Sequence, residues 1–307
     1  MGKLVFLGTP AFAVPSLERL IAAGHRVEAV FTQPDRPNAS PVKQAALHHG
    51  LTVHQPERIR RPESIEQLRA ILPDAMVVVG YGQIIPQNII DIPALGIVNV
   101  HASLLPKYRG AAPIQWAIAN GEERTGVTTM RIDAGLDTGD MLLKWATAIG
   151  PEENALQLGE RLAEAGAKLL VETLAQLGTL HPEPQDSSQA SLAPLLKKED
   201  GRIDWSKPAP SIFNRARGFL PWPGAYSTFR NQLFHIWKAQ VGQVPDLPIH
   251  PPGYLFANNK HLMATCGNNT ILELLEVQLE SRKRMSAGTF LNGHRLTDNE
   301  ILGASHT

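Results

Sequence analysis

The run Ile97-Val-Asn99-Val-His101-Ala-Ser103-Leu104-Leu105-Pro106-Lys-Tyr-Arg-Gly-Ala-Ala-Pro-Ile114 is an apolar strand pattern interrupted by groups that can do chemistry. Residues two apart on a strand project to the same face, so Asn99 and His101 are expected to point together. That places an amide donor beside an imidazole able to act as acid or base. A carboxylate of the right kind is Asp137, in the turn-forming run Asp133-Ala-Gly-Leu-Asp137-Thr-Gly-Asp140. An oxyanion donor, an acid or base and a carboxylate to orient it form a set suited to addition at a carbonyl. Each residue also has a plainer reading, His101 as a core histidine donating to a carbonyl and Asn99 as a strand-end cap, and spacing alone leaves both open. The three acids of residues 133–140 invite a metal reading, but glycines intervene and no cysteine or second histidine is near, which argues for no metal. Pro106 has no N–H for a strand ladder, so the backbone turns here and offers its own amides and carbonyls to a ligand.

The elements that would position these groups alternate strand and helix. Lys3 to Leu7 reads as a strand, Pro15 to Ala23 as a helix closed by Gly24, and Val27 to Phe31 as the next strand. Thr32 to Pro37 is an extended loop, Ser40-Pro41 caps a helix to His49, and Pro62 to Leu72 is an amphipathic helix. Ala75 to Gly80 is an apolar run of the kind buried in parallel sheets. After the strand at Ile97 come a short helix from Ala112 to Asn120 and strands at Val127 to Ile132 and Met141 to Ala148. The pattern predicts an α/β, Rossmann-like, mostly parallel sheet whose ligands sit at the carboxyl ends of its strands, where Gly8, Tyr81, His101 and Asp137 would converge. Gly8 lacks the partner glycines of a dinucleotide fingerprint, and no P-loop occurs. A long helical pattern over Ala155 to Leu177 is followed by a Pro-, Ser- and Gln-rich stretch. Five β-like runs, at Ala225 to Phe229, Phe234 to Ala239, Tyr254 to Phe256, His261 to Thr265 and Thr270 to Val277, then predict a small C-terminal β-barrel. The expected division is a catalytic domain over 1–178, a linker over 179–205 and the barrel over 206–307.

With 307 residues, 43% of them hydrophobic, the chain can bury one large or two ordinary cores. Its single cysteine, Cys266, excludes an internal disulfide and a cysteine-based zinc cage, and fits a reducing compartment. The first apolar run is too short for a signal peptide or a membrane span, so a cytoplasmic protein with no membrane partner is expected. The 29 basic and 29 acidic residues balance overall, yet residues 206–307 hold ten basic against six acidic. That excess, with Arg282-Lys283-Arg284 in it, allows either a solvated surface or a polyanion partner.

Several runs together resemble the methionyl-tRNA formyltransferase family. In the first half they are Gly8-Thr-Pro-x-Phe12, Gln33-Pro-Asp-Arg36-Pro37, Ser40-Pro-Val-Lys43, Tyr81-Gly-x-Ile-Ile-Pro86, the run from Asn99 to Ile114 and Gly135-Leu-Asp137-Thr-Gly-Asp-Met141. In the second half they are Arg202-Ile-Asp-Trp205, Pro221-Trp-Pro223, Ile236-Trp-Lys-Ala239 and Met285-Ser-Ala287. The Asn-x-His-x-Ser-Leu-Leu-Pro block marks the wider class of 10-formyltetrahydrofolate-dependent transferases, and the C-terminal runs point to the tRNA member. The resemblance implies a formyltransferase fold followed by an OB-like barrel, and formyl transfer from 10-formyltetrahydrofolate to the α-amino group of initiator methionyl-tRNA. It implies Asn99, His101 and Asp137 as catalytic residues. The folate would lie against Ser103, Leu104, Leu105, Pro106 and Tyr81. Initiator tRNA would lie against Arg36, Lys43, Arg282, Lys283 and Arg284. Two other readings are a relative that formylates a small amine, which should lack the basic barrel, and an inert RNA-binding relative, which should lack an intact catalytic trio. The chain departs from the family in one loop: a Gly-Arg-Gly-Lys-rich segment is expected after Pro37, whereas only Asn38 and Ala39 precede Ser40, so either the loop is short or residues between Pro37 and Ser40 are missing from this sequence.

Overall fold

A computed structural model describes residues 2–243, 249–298 and 300–304. The chain forms two compact units. The first comprises Met1–Pro113, Arg124–Ala148 and Leu158–Pro194, and the second Ile114–Glu123, Ile149–Gln157 and Leu195–Thr307.

The first unit carries β1 (Lys3–Gly8), α1 (Val14–Ala22), β2 (Arg26–Phe31), α2 (Pro41–His48), β3 (Val53–His54), α3 (Pro62–Ile71), β4 (Ala75–Val79), α4 (Gln87–Ile90) and β5 (Ile97–His101). After α5 (Pro113–Ala119), which falls mainly in the second unit, come β6 (Arg124–Arg131), β7 (Met141–Ala148) and the long α6 (Ala155–Ala175). The sheet order is β3-β2-β1-β4-β5-β6-β7, parallel from β3 through β5 and antiparallel from β5 through β7. All side chains of β4 and β5 are buried, as expected of central strands covered on both faces. Local chemistry sets the helix ends. Ser40 Oγ accepts from Lys43 N at 3.1 Å with Pro41 in the first turn of α2, and Gly24 closes the turn after α1 at φ +78°. At the carboxyl ends of β1, β2 and β4, Thr9 Oγ1 and Gln33 Nε2 both donate to the Tyr81 carbonyl at 3.2 Å.

The antiparallel direction of β6 and β7 was not legible in the sequence, and it matters. His101 pairs with Thr128 and Val98 with Arg131, so β6 ends beside the start of β5, not beside His101. At ~3.3 Å per residue the end of β6 lies on the order of 10 Å from the level of His101, and residues 132–140 must run back along the sheet to reach it. The stretch 179–205, expected as a linker, is not free chain. Glu183 exchanges backbone hydrogen bonds with Met141 at 2.8 Å in each direction, and Ala193 N donates to Arg109 O at 2.7 Å. Its Pro-rich composition breaks helical and strand periodicity, but single bridges of this kind need neither.

In the second unit α7 (Ala209–Gly218) precedes β8 (Ala225–Phe229), β9 (Gln232–Gly242), β10 (Leu255–Asn258), β11 (His261–Thr265), β12 (Ile271–Leu279), β13 (Met285–Ser286) and α8 (Ala287–Gly293). The five expected runs are strands of an antiparallel sheet ordered β10-β11-β12-β9-β8, and the two-residue β13 adds to β12. Along β9, Phe234 and Ile236 face a core that includes Phe229, Leu272, Leu274 and Phe290, while His235 and Trp237 alternate outward. Trp205 is buried there and donates through Nε1 to Ser227 Oγ at 2.9 Å.

Candidate active site

Asn99 and His101 lie on one face of β5, 8% and 5% exposed. His101 Nε2 is 2.9 Å from the carbonyl oxygen of Tyr108. A carbonyl can only accept, so Nε2 carries the proton, and Nδ1 is left to accept or to carry a second one. Nδ1 faces Asp137 Oδ2 at 3.6 Å, close enough for charge to be felt but too long for a direct hydrogen bond. The same Oδ2 accepts from the Gly110 amide at 2.8 Å. Among the described residues no group pairs with the side-chain amide of Asn99. It is not one of the buried groups left unsatisfied, so it keeps access to solvent and is free to meet a ligand. The arrangement therefore offers one uncommitted amide donor, one ring nitrogen able to exchange a proton and one carboxylate behind it.

Residues 133–140 are built to project Asp137. Asp133 accepts from Gly135 N at 3.0 Å and from Thr138 Oγ1 at 2.8 Å, which closes the loop on itself. Asp137 itself sits at φ +50°, in the left-handed region that Asp tolerates better than most residues. A Cβ on Gly139 would lie 2.0 Å from the carbonyl oxygen of Arg131, so only glycine lets the loop rejoin β7 so closely. Asp133 thus holds the loop and Asp137 faces the histidine, and among the described residues no three His, Cys, Asp or Glu side chains gather as metal ligands would. One polar contact was invisible to sequence reasoning: Gln185, in the returning stretch, donates to the carbonyls of Asp137 and Gly139 at 2.8 and 2.7 Å.

The turn after β5 is anchored by Thr128. Its Oγ1 donates to Ser103 O at 2.7 Å and accepts from Leu105 N at 3.2 Å, while Leu104 O accepts from Lys107 N at 3.1 Å. Ser103 Oγ donates to Lys107 O at 2.6 Å. The Leu104 amide and the Leu105 carbonyl, like the Ser103 amide and the Pro106 carbonyl, have no backbone partner among the described residues. Leu105 packs with Met130 and Met141 in a small buried cluster, and Pro106 is half-buried. Tyr81, expected beside them, is a core residue. Its ring is 1% exposed among Val5, Leu7, Met76 and Val78, and burial pushes its phenol well above the usual range. Its carbonyl, already accepting from Thr9 and Gln33, is the part of Tyr81 that faces the strand ends.

The five basic positions differ in what they can still bind. Lys43 Nζ donates to Asp35 Oδ2 at 2.6 Å and to Gln55 Oε1 at 2.7 Å, and the Lys43 bond together with one from Gln55 Nε2 to Asp35 Oδ1 at 2.8 Å holds the Asp35 carboxyl below its ordinary value. Arg36 is exposed in the short loop. In the second unit Arg284 pairs with Glu276 and stands over the Trp237 ring at 5.3 Å, whereas the exposed side chains of Arg282 and Lys283 have no partner among the described residues.

Comparison with known proteins adds to this geometry. Residues 2–174 match the formyl transferase family model, and residues 195–295 match that of the formyl transferase C-terminal domain. A methionyl-tRNA formyltransferase of Solibacter usitatus is 64% identical, the alignment covering 99% of both chains. One of Koribacter versatilis is 56% identical over 98% of each. Among solved structures, an N-formyltransferase of Helicobacter canadensis in complex with folinic acid and dTDP-3-aminofucose matches with a TM-score of 0.69 at 19% identity, covering 91% of this chain and 100% of the other. HypX of Aquifex aeolicus in complex with tetrahydrofolic acid matches with a TM-score of 0.65 at 16% identity, over 94% of this chain and 47% of that one. At such identities these structures speak to the fold.

Proposed function

The chain belongs to the methionyl-tRNA formyltransferase family, and from that premise we propose that it moves a formyl group from 10-formyltetrahydrofolate to the α-amino group of methionine esterified to initiator tRNA, in the cytoplasm. The neutral amine attacks the formyl carbon, and the carbonyl oxygen becomes an oxyanion. The Asn99 amide and His101, protonated at Nδ1, donate to that oxyanion. Asp137 steadies the charged ring and relays the proton lost by the amine towards the folate nitrogen that leaves with the bonding pair. The folate lies along the turn at Ser103 to Pro106, where the Leu104 amide and the Leu105 carbonyl supply one donor and one acceptor. No step in this sequence calls for a metal.

The observation that supports this reading best is the division of labour on His101: Nε2 is tied to the Tyr108 carbonyl, which turns Nδ1 towards Asp137. For the substrate side, similarity along both units and the basic excess of residues 206–307 favour RNA over a small amine. Within the proposal, the first unit performs the transfer and the second holds the acceptor arm. The test is an assay with 10-formyltetrahydrofolate and either charged initiator tRNA or small amines such as amino sugars. Formylation of methionyl-tRNA alone is expected. Transfer to the small amines alone, or no transfer to any acceptor, would overturn it.

A further inference from the structure

Asp137 stands on a loop that must climb back from the far end of β6 and take up a positive φ, so something has to hold it in place. The hydrogen bonds around it close a ring. Gln185 Nε2 donates to Asp137 O at 2.8 Å and to Gly139 O at 2.7 Å, spanning the peptide units that follow Asp137. Gln185 Oε1 accepts from Arg109 Nε at 3.0 Å and Nη2 at 2.8 Å. The amide cannot be turned over, because carbonyls only accept and a guanidinium only donates. Arg109 is 8% exposed, and the residue after it, Gly110, gives its amide to Asp137 Oδ2 at 2.8 Å. Arg109 and Gly110 are in turn fixed by the returning stretch, through Arg109 N to Ser191 O at 2.8 Å and Ala193 N to Arg109 O at 2.7 Å.

We propose that Gln185, locked by Arg109, is a positioning residue that sets the Asp137 carboxylate against His101 without touching the reacting atoms. The inference rests on the catalytic reading of Asp137 given above. Removing the two donors frees the carbonyls on which the positive-φ conformation depends, and the carboxylate drifts while Gly110 holds it on one side only. A displacement on the order of 1 Å of this kind can cost up to ~100-fold in turnover.

The test uses the full-length enzyme with 10-formyltetrahydrofolate and methionyl-tRNA, comparing Gln185→Ala, Gln185→Glu, Asp137→Ala and the Gln185→Ala/Asp137→Ala pair. Gln185→Glu keeps an acceptor for Arg109 and turns the two donated bonds into repulsion between a carboxylate oxygen and the two carbonyls, so it breaks this anchorage even if the alanine variant folds poorly. Either single change at Gln185 is expected to lower kcat roughly ten- to a hundredfold with both KM values nearly unchanged. In the Asp137→Ala background the Gln185 change should add less than about twofold, because a residue acting through Asp137 has nothing left to position. Equal losses in both backgrounds, or wild-type kcat in Gln185→Glu, would overturn the inference while leaving the catalytic role of Asp137 intact. Wild-type turnover in Asp137→Ala would remove that role and the inference together.

Discussion

At the scale of single residues, the proposed site predicts unequal tolerance among buried polar groups. Asn99→Ala and His101→Ala each remove one donor to the developing oxyanion and are expected to cost about 3–4 kcal/mol in transition-state stabilisation, read as a fall in kcat. Folate affinity, measured by fluorescence titration, should change little, and near-normal turnover of His101→Ala would end the assignment. Cys266 makes the opposite case. It is 3% exposed and burial pushes its thiol up to about 12, so the native protein should resist alkylation at pH 8 and react only on unfolding. Rapid labelling of the folded chain would contradict that. Asn99, His101 and Asp137 were legible because strand alternation and a Gly-rich turn are local signals. Gln185 was not, since its partners are two backbone carbonyls and an arginine 76 residues away. The Tyr81 ring was not legible for a related reason: position at a strand end does not tell which way an aromatic ring turns, and this one turns into the core.

At the scale of elements, most expected strands and helices lie within two residues of their bounds, β6 and β9 run three residues further at one end, β3, α4, α7, β13 and α8 carried no expectation, and the direction of β6 and β7 was not legible. A run of β-branched and apolar residues looks alike in either direction, and only the register of Asn99 with Met130 and His101 with Thr128 reveals the reversal. The loop this creates leads to a second prediction. Gly139→Ala drives a Cβ to 2.0 Å from the Arg131 carbonyl, and overpacking of this kind costs ~1–3 kcal/mol, so the thermal midpoint should fall and kcat with it as Asp137 moves. Gly288→Ala, in α8 with no atom within 4 Å of the added methyl, is the matched control and should be neutral or slightly stabilising. Comparable destabilisation by both changes would show that the close approach at Gly139 is unimportant. The loop before α2 gives a third prediction. Asn38 and Ala39 extend the chain by about 7 Å at ~3.3–3.6 Å per residue, too little for this segment to enter a nucleic-acid groove. Inserting a Gly-, Arg- and Lys-rich segment between Pro37 and Ser40 should therefore raise the preference for initiator over elongator methionyl-tRNA, and an unchanged ratio would argue that this loop takes no part in selection.

At the scale of the whole molecule, a neutral chain of 307 residues conceals a division of charge that only matters for a polyanion. Each Lys or Arg that neutralises a phosphate releases counterions, so the apparent tRNA affinity should fall with salt by about one power of ten in affinity per tenfold salt for each such contact. The surroundings of the cluster rank its members. Arg284 is already paired with Glu276 and laid over Trp237, so reversing it removes little free charge and disturbs a packed contact instead. Arg282 and Lys283 are exposed and unpaired among the described residues, and they are the cations able to exchange water for phosphate. The double change Arg282→Glu/Lys283→Glu should accordingly raise the KM for methionyl-tRNA and flatten the slope of log affinity against log salt by about two, leaving the KM for 10-formyltetrahydrofolate unchanged. Arg284→Glu should flatten it by less than one. If the slope is indifferent to the double change, Arg282 and Lys283 are a solvated surface and the RNA is held elsewhere.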